Sequence, residues 1–389
     1  MESIRILNNA FYRFSQASGL QANASKSAIY MAGIDQKTRE EILQTLGFSE
    51  GKLPFKYLGI PLDLKKLTIA QYLPLVEKIT TKNTCWSAKF LSYAGRCQLI
   101  KAVIFGIQTY WAHVFIIPKK VLKLIEAICR TFLWTGNATI SKKALVAWEN
   151  VCKPVAAGGL NLIDIKSWNK ATITKHLWDL TRKKDCLWIR WVHSYYIKKR
   201  DPDTMPIPKA AVWRYLKMIP DCCKVEWKGL MLHTSIHPRY RFILWLAVQK
   251  RLATVDRLLK IGIQVPADCI FCKNGSETFN HLFFKCPITN RLWAKLCHWL
   301  GHKRSIGDWE CELEWINKKA KSRAGINSIT CCVFAMTVAM IWRERNKGRF
   351  EDGKYDEYQI CKEIILHIHV REQNNKKWRG LMQQLDRIP

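Results

Sequence analysis

The feature that most constrains this chain is a run of four potential metal ligands: Cys269-Ile-Phe-Cys272, then His281, then Cys286, all within one polar segment. A Cys-x-x-Cys turn sets two thiols on one side of a tetrahedron, and a His-x-x-x-x-Cys segment can close the other, which is the donor set of structural zinc sites. Lys273-Asn-Gly275-Ser supplies the turn between the halves. Three thiolates and a neutral imidazole would leave the site with a single net negative charge, and Lys273 and Lys285 stand beside two of the ligands to offset it. Four protein ligands leave no open position for a reactive water, so the expected cofactor is a structural Zn2+ that staples the fold. The plainer alternative is buried thiols with a helix-capping histidine. His302, Cys311, Cys331 and Cys332 are looser competitors as ligands.

Fifteen cysteines would mean disulfides in a secreted protein. The first thirty residues, with Arg5, Arg13 and Lys26, contain no continuous apolar core, so no signal peptide is expected. The expected location is intracellular, the nucleus favoured over the cytoplasm, with a mitochondrial transit sequence as a lesser alternative. Most thiols are then reduced, and Cys97, Cys129 and Cys152, beside apolar neighbours, read as packing residues. The longest apolar stretch, Ile326 to Trp342, is interrupted by Asn327, Ser328, Thr330 and Thr337. It is short of the ~20 apolar residues of a membrane span. A buried helix closed by Arg343-Glu344-Arg345-Asn346-Lys347 is the expectation, and no membrane is assigned as a partner.

Apolar periodicity makes the fold class mainly α, with a small α+β part at the N-terminus. Strand-like pieces lie at Ser27 to Ala32 and Lys56 to Pro61. From Leu67 to Leu133 apolar residues recur at helical spacing, including Tyr72, Leu75, Val76 and Ile79, and Pro118 is placed to open a helix running to Trp134. Ala156-Ala157-Gly158-Gly159-Leu160 is a break, Trp168 to Trp191 is helical, and Arg200 to Pro208, with three prolines, is the best linker. Helices are expected around Arg241 to Leu252, Val255 to Ile261 and Asn290 to Leu300. The polar tail from Tyr355 is expected to be helical, ending in a basic cluster at Lys376, Lys377 and Arg379.

Charge narrows the partners: 63 Lys and Arg against 31 Asp and Glu leave a formal +32. The polyanion that best matches such a surface is RNA or DNA, bound with low sequence specificity. Candidate phosphate contacts are Lys56, Lys89, Arg96, Lys119, Lys120 and Lys123, interleaved with aromatics such as Trp86 and Phe90. Phosphate-loop, nucleophile-elbow and His-Glu-x-x-His patterns are missing from the sequence, as is any Asp-Asp pair. Paired carboxylates are what two-metal phosphoryl transfer requires. No small-molecule substrate is expected, and the sequence leaves the oligomeric state open. Asp35, Asp63 and Asp164 read as caps and surface charges.

Phe242-Ile-Leu-Trp-Leu-Ala-Val-Gln-Lys-Arg-Leu-Ala-Thr-Val-Asp-Arg-Leu-Leu259, then Cys269 to Cys286 with Glu277 and His281-Leu-Phe-Phe-Lys-Cys, closely resembles the zinc-binding domain of plant LINE-type (non-LTR) retrotransposon reverse transcriptases. Phe14-Ser-x-x-Ser18-Gly-Leu20 and Phe55-Lys-Tyr-Leu-Gly-Ile-Pro-Leu62 look like the end of that family's palm, the second piece being similar to its primer-grip hairpin. Leu91-Ser-Tyr-Ala-Gly-Arg96 through Thr131-Phe-Leu-Trp134 looks like its thumb. Gly158-Gly-Leu160 and Ile341-Trp-Arg-Glu-Arg-Asn346 look like its usual run after the thumb. The resemblance implies four parts: residues 1–66 as a truncated palm remnant with the primer-grip-like hairpin, 67–199 as a thumb-like helical connection region, 200–300 as the zinc-binding domain, and 301–389 as a helical tail. The family's catalytic aspartates sit in a Phe/Tyr-Ala-Asp-Asp turn upstream of this segment. The resemblance therefore implies ancestry, and no catalytic residue is assigned.

The leading expectation is a catalytically incomplete reverse-transcriptase fragment that binds zinc and nucleic acid. Its competitors are a degenerate transposon-derived reading frame, a protein-interaction scaffold, and a subunit completing a split polymerase in trans.

Overall fold

In the computed structural model the described residues are 1–389 except 24–26, 32, 58, 64–66, 86–90, 138, 198–223, 323, 352, 354, 374–377, 379, 382–384 and 386–389. The expected linker at Arg200 to Pro208, the candidate Lys89 and the basic cluster Lys376, Lys377 and Arg379 fall outside them. The fold is mainly α with a small strand content near the N-terminus, and the chain forms two compact units, Met1–Pro74 and Leu75–Pro389.

In the first unit, α1 (Glu2–Ser18) and α2 (Gln36–Leu46) both end at a left-handed glycine, Gly19 and Gly47. Asp35 caps α2 by accepting from the Thr38 amide, so it is the cap its sequence suggested. β1 (Ala28–Ile29) pairs in parallel with β2 (Ser49–Glu50), and β3 (Phe55–Tyr57) pairs antiparallel with β4 (Ile60–Leu62) through a turn in which Gly59 has φ 82°. The hairpin thus occupies the stretch read as strand from sequence. Its core is thin: Ile42, Ile60, Leu67 and Tyr72 are buried, and α1 buries no residue.

The second unit begins with a helical body. Leu75 and Ile79 of α3 (Leu73–Cys85) are fully buried, as the periodicity required. α4 (Tyr93–Leu99) runs through a wide turn at Ile100–Ile104 into α5 (Phe105–Val114). α6 (Lys119–Thr135) buries Val121, Leu122, Ile125, Ile128, Cys129 and Phe132 on one face and stops at Gly136 in the left-handed conformation. A short helix, α7 (Trp148–Cys152), leads to the Gly158-Gly159 break. The stretch from Trp168 to Trp191 is not one helix but α8 (Ile165–Thr181), with Asp164 hydrogen-bonding the amides of its first turn, and α9 (Leu187–Val192). Asn169 of α8 holds the α5–α6 connection: its Oδ1 accepts from Ile117 N at 2.8 Å, and its Nδ2 donates to Ala112 O and Phe115 O. A buried amide with those partners fixes the connection without an unpaired polar group.

The Gly158-Gly159 break ties this body to the next helices. A Cβ at Gly159 would lie 1.9 Å from the Lys153 carbonyl oxygen, so only glycine fits, and the Gly158 carbonyl accepts from Trp245 Nε1 and Gln249 Nε2. Beyond it come α10 (Lys228–Met231), α11 (Pro238–Val248), α12 (Val255–Lys260), α13 (Pro287–Trp299), α14 (Trp309–Ala320), α15 (Gly325–Phe350) and α16 (Glu357–Glu372).

α15 is the hub. Residues 329–341 are buried without interruption, and α11, α13, α14 and α16 pack against it. By length and composition alone α15 could cross a membrane, yet most of it is enclosed by these helices. The helix does not close at Trp342. It continues through the polar run to Phe350, because Glu344 and Arg345 are themselves buried there.

Candidate metal centre

Cys269, Cys272, His281 and Cys286 come together, with one donor atom from each lying within 4.8 Å of every other. The Cys-x-x-Cys half is a knuckle: Cys269 N donates to Gly275 O at 2.7 Å, Lys273 N donates to Cys269 O at 2.9 Å, and Asp268 bridges Ser276. Lys273 takes φ +57°, which reverses the chain. The other half uses a second reversal. Phe284, at φ +76°, lets the chain double back so that His281 and Cys286 face the same point, and Cys286 N donates to His281 O at 2.7 Å. A bulky residue at positive φ costs roughly 1–3 kcal/mol. Packing holds it there, since the Phe284 ring lies among Trp293, Trp309 and Phe334, stacked on Trp309 at 9°.

The donor set fits zinc on geometry as well as chemistry. In a tetrahedron with Zn–S near 2.3 Å and Zn–N near 2.0 Å, edges of about 3.8 Å for S–S and about 3.5 Å for S–N are required. Cys269 Sγ and Cys286 Sγ are 3.9 Å apart, and Cys272 Sγ and His281 Nε2 are 3.3 Å apart. The thiol that Cys269 donates to Cys286 raises the Cys269 pKa and lowers that of Cys286. Amides of Phe271 and Cys272 stabilise the Cys269 sulfur, and those of Ile288 and Thr289, at the start of α13, stabilise Cys286. Cys286 is the N-cap of that helix, where the dipole favours a thiolate. Cys269 and Cys286 are fully buried; Cys272 and His281 are half-buried.

The looser competitors are engaged elsewhere. His302 contacts the Thr330 hydroxyl, Cys331 and Cys332 lie inside the α15 core, and Cys311 is exposed on α14. Cys97 and Cys129 are packing residues, and Cys152 is half-buried; burial raises all three thiol pKa values, that of Cys152 to about 12.

Sequence reading missed the support behind the knuckle. Glu277 is buried and accepts from Arg345 at 2.6 Å and from Arg349 at 2.9 Å, while its Oε1 also takes the Val255 amide. Arg349 further donates to the carbonyls of Pro266 and Asp268. The last turns of α15 therefore clasp the loop that carries Cys269 and Cys272. Two arginines spaced four apart near the end of α15, Arg345 and Arg349, were the only local signal, and Glu277 stood out only as part of the resemblance, with nothing to pair it with them.

The basic candidates separate. Lys119, Lys120 and Lys123 are exposed on the first turns of α6, opposite its buried face. That helix carries no acid in its first turn, so three ammonium groups crowd its positive pole, an arrangement a bound phosphate would relieve. Lys56 is exposed on β3 of the first unit. Arg96 departs from expectation. It is 9% exposed, donates to Leu133 O at 3.4 Å and lies 5.4 Å from the Tyr93 ring centre. Burial lowers its pKa, and a guanidinium so placed supports the body rather than meeting a phosphate at the surface.

Residues 210–293, which contain the four ligands, match the family model described as zinc-binding in reverse transcriptase. An Arabidopsis thaliana protein named "Putative ribonuclease H protein" is 31% identical over 159 residues, which is 40% of this chain and 26% of that relative. The match thus spans about a quarter of the relative's length.

Proposed function

We propose that this chain is part of a LINE-type retrotransposon reverse transcriptase, of the plant kind, in which zinc holds a helical body that binds RNA or DNA through its basic surface. The observation that carries this reading is the Cys3His cluster inside the segment that matches reverse-transcriptase zinc-binding domains. Cys269, Cys272, His281 and Cys286 would hold Zn2+, which supplies cross-linking of two loops and no reaction step. No catalytic residue is assigned: the sequence has no Asp-Asp pair. The ribonuclease H name stays with the Arabidopsis relative, since the shared part is 26% of it. An intracellular location, chiefly nuclear, goes with the same reading.

The excess of cations and the exposed Lys119, Lys120 and Lys123 support low-specificity phosphate contact. The test is fluorescence anisotropy of a labelled single-stranded RNA across a sodium chloride series. Log affinity should fall against log salt by about 0.7 per phosphate neutralised, and a Lys119→Ala/Lys120→Ala/Lys123→Ala variant should lower the slope by about two units. Binding that is absent, or indifferent to salt, overturns the reading.

A protein-interaction scaffold is the second reading. It is favoured by α1, where Ile6, Leu7, Phe11 and Phe14 are all exposed.

A further inference from the structure

Beside α15, with none of the four candidate ligands in its lining, four segments distant in sequence line an open cavity of about 430 Å³. Tyr93 comes from the start of α4, Arg239 and Tyr240 from the start of α11, Trp342 from α15, and His367 and Arg371 from α16. The volume is that of a site for one small ligand.

Its walls are aromatic and braced. The Tyr93 ring lies on the buried Phe242 with centroids 5.2 Å apart and planes 15° apart. Tyr240 meets the His367 ring edge-on, with its hydroxyl 3.4 Å from His367 Nε2. The Arg345 guanidinium sits 5.0 Å from the Trp342 ring centre. The Arg96 guanidinium backs the Tyr93 wall.

Its charge is unbalanced. Among the described residues of the lining Glu363 is the one acid, and it is held by both Arg343 amino groups, at 2.6 and 2.7 Å. Among the described residues neither Arg239 nor Arg371 makes a close ion pair with a carboxylate, although Glu363 feels the charge of Arg239, and Arg371 reaches the Cys332 sulfur at 3.6 Å. Burial, and then the nearby Arg371, His367, Arg239 and Arg241 side chains, hold the His237 pKa below its usual value, consistent with a field that favours an anion.

A flat aromatic group beside an anion answers both halves of this lining. We propose that the cavity receives a single nucleotide unit, its base against Tyr240, Trp342 and Tyr93 and its phosphate at Arg239 and Arg371. A base inside a duplex is stacked on both faces and cannot enter, so the ligand is an unpaired nucleotide of a strand, or a free nucleotide. The strand form rests on the nucleic-acid reading above; the free form does not.

The test uses the full zinc-loaded chain with a labelled single-stranded 12-nucleotide RNA, a duplex of the same sequence, AMP, and a phosphotyrosyl peptide. The variants are Arg239→Gln/Arg371→Gln and, separately, Tyr240→Leu, each checked for unchanged zinc content and melting. Single-strand affinity should drop about tenfold or more in each, with duplex binding changed by no more than about twofold. The salt slope for the single strand should fall by about 1.4 in the arginine variant. RNA carrying 4-thiouridine should crosslink to peptides containing Tyr93, Tyr240 or Trp342. If intact variants bind the single strand like wild type, the cavity proposal falls while the nucleic-acid reading stands. If wild type ignores RNA but binds AMP, and the variants do not, the free-nucleotide form holds and the nucleic-acid reading falls. Preference for the phosphotyrosyl peptide over both nucleotide probes overturns the proposal.

Discussion

α1 and α15 are both long helices rich in apolar side chains, and the molecule treats them oppositely. α15 buries every residue from 329 to 341 beneath four other helices, whereas α1 buries none. Apolar content alone does not locate a core; neighbours do. Around α15 those neighbours are locked by two devices: the Cys3His cluster, which ties two loops of one short segment together, and the Glu277 ion cluster, which joins that segment to the end of α15 some seventy residues later. Among the described residues of the first unit nothing comparable is found.

The contrast would break most visibly at the metal. Structural zinc contributes on the order of 10 kcal/mol to folding of small domains. Chelation, or Cys269→Ser/Cys286→Ser, should therefore abolish cooperative thermal unfolding of the second unit and open residues 225–300 to limited proteolysis. Retained cooperativity would place the stability elsewhere.

Next in size is Glu277→Ala. It strands Arg345, 1% exposed, without a counter-charge, at a cost of about 3–5 kcal/mol in denaturant unfolding. A loss below about 1 kcal/mol, the range of surface pairs, would mean that the clasp on the knuckle is incidental.

A smaller effect is tied to pH. Hydrogen bonds from Arg343 hold the Glu363 carboxyl below its usual range. A depressed carboxylate contributes stability that is present above its unfolded pKa, about 4.3, and is lost as pH falls through the lower folded value. Arg343→Met should make the acid limb of a stability–pH profile shallower below about pH 4.3 and leave its slope near neutrality unchanged.

The smallest change is expected in α1. Leu7→Ala or Phe11→Ser should alter stability by no more than about 0.5 kcal/mol, as at other exposed positions. A large loss would show that these side chains are covered in solution, by a partner or by a second copy of the chain.

How far the sequence disclosed these features depended on whether the signal was local. The ligand spacing puts all four donors in one short segment, so the spacing alone is enough to identify the cluster. α6 is legible for the same reason, since its apolar period, Pro118 and Gly136 lie within one window. α15 is half-legible. Its apolar part is evident, but Arg343 to Lys347 looks like an end, because the partner that keeps Arg345 buried, Glu277, lies sixty-eight residues earlier. Arg96 misleads for a related reason. Beside tyrosine it reads as a surface cation, and its acceptor, Leu133 O, is thirty-seven residues away. The nucleotide-sized cavity leaves no local trace, because four segments contribute to it.

The most direct measurement is the metal content of the purified full-length chain, determined by mass spectrometry beside the Cys269→Ser/Cys286→Ser variant. The account predicts about one zinc per wild-type chain and almost none in the variant. A wild-type chain that folds cooperatively with no zinc, or a variant that keeps it, would contradict the assignment of these four residues as the metal centre.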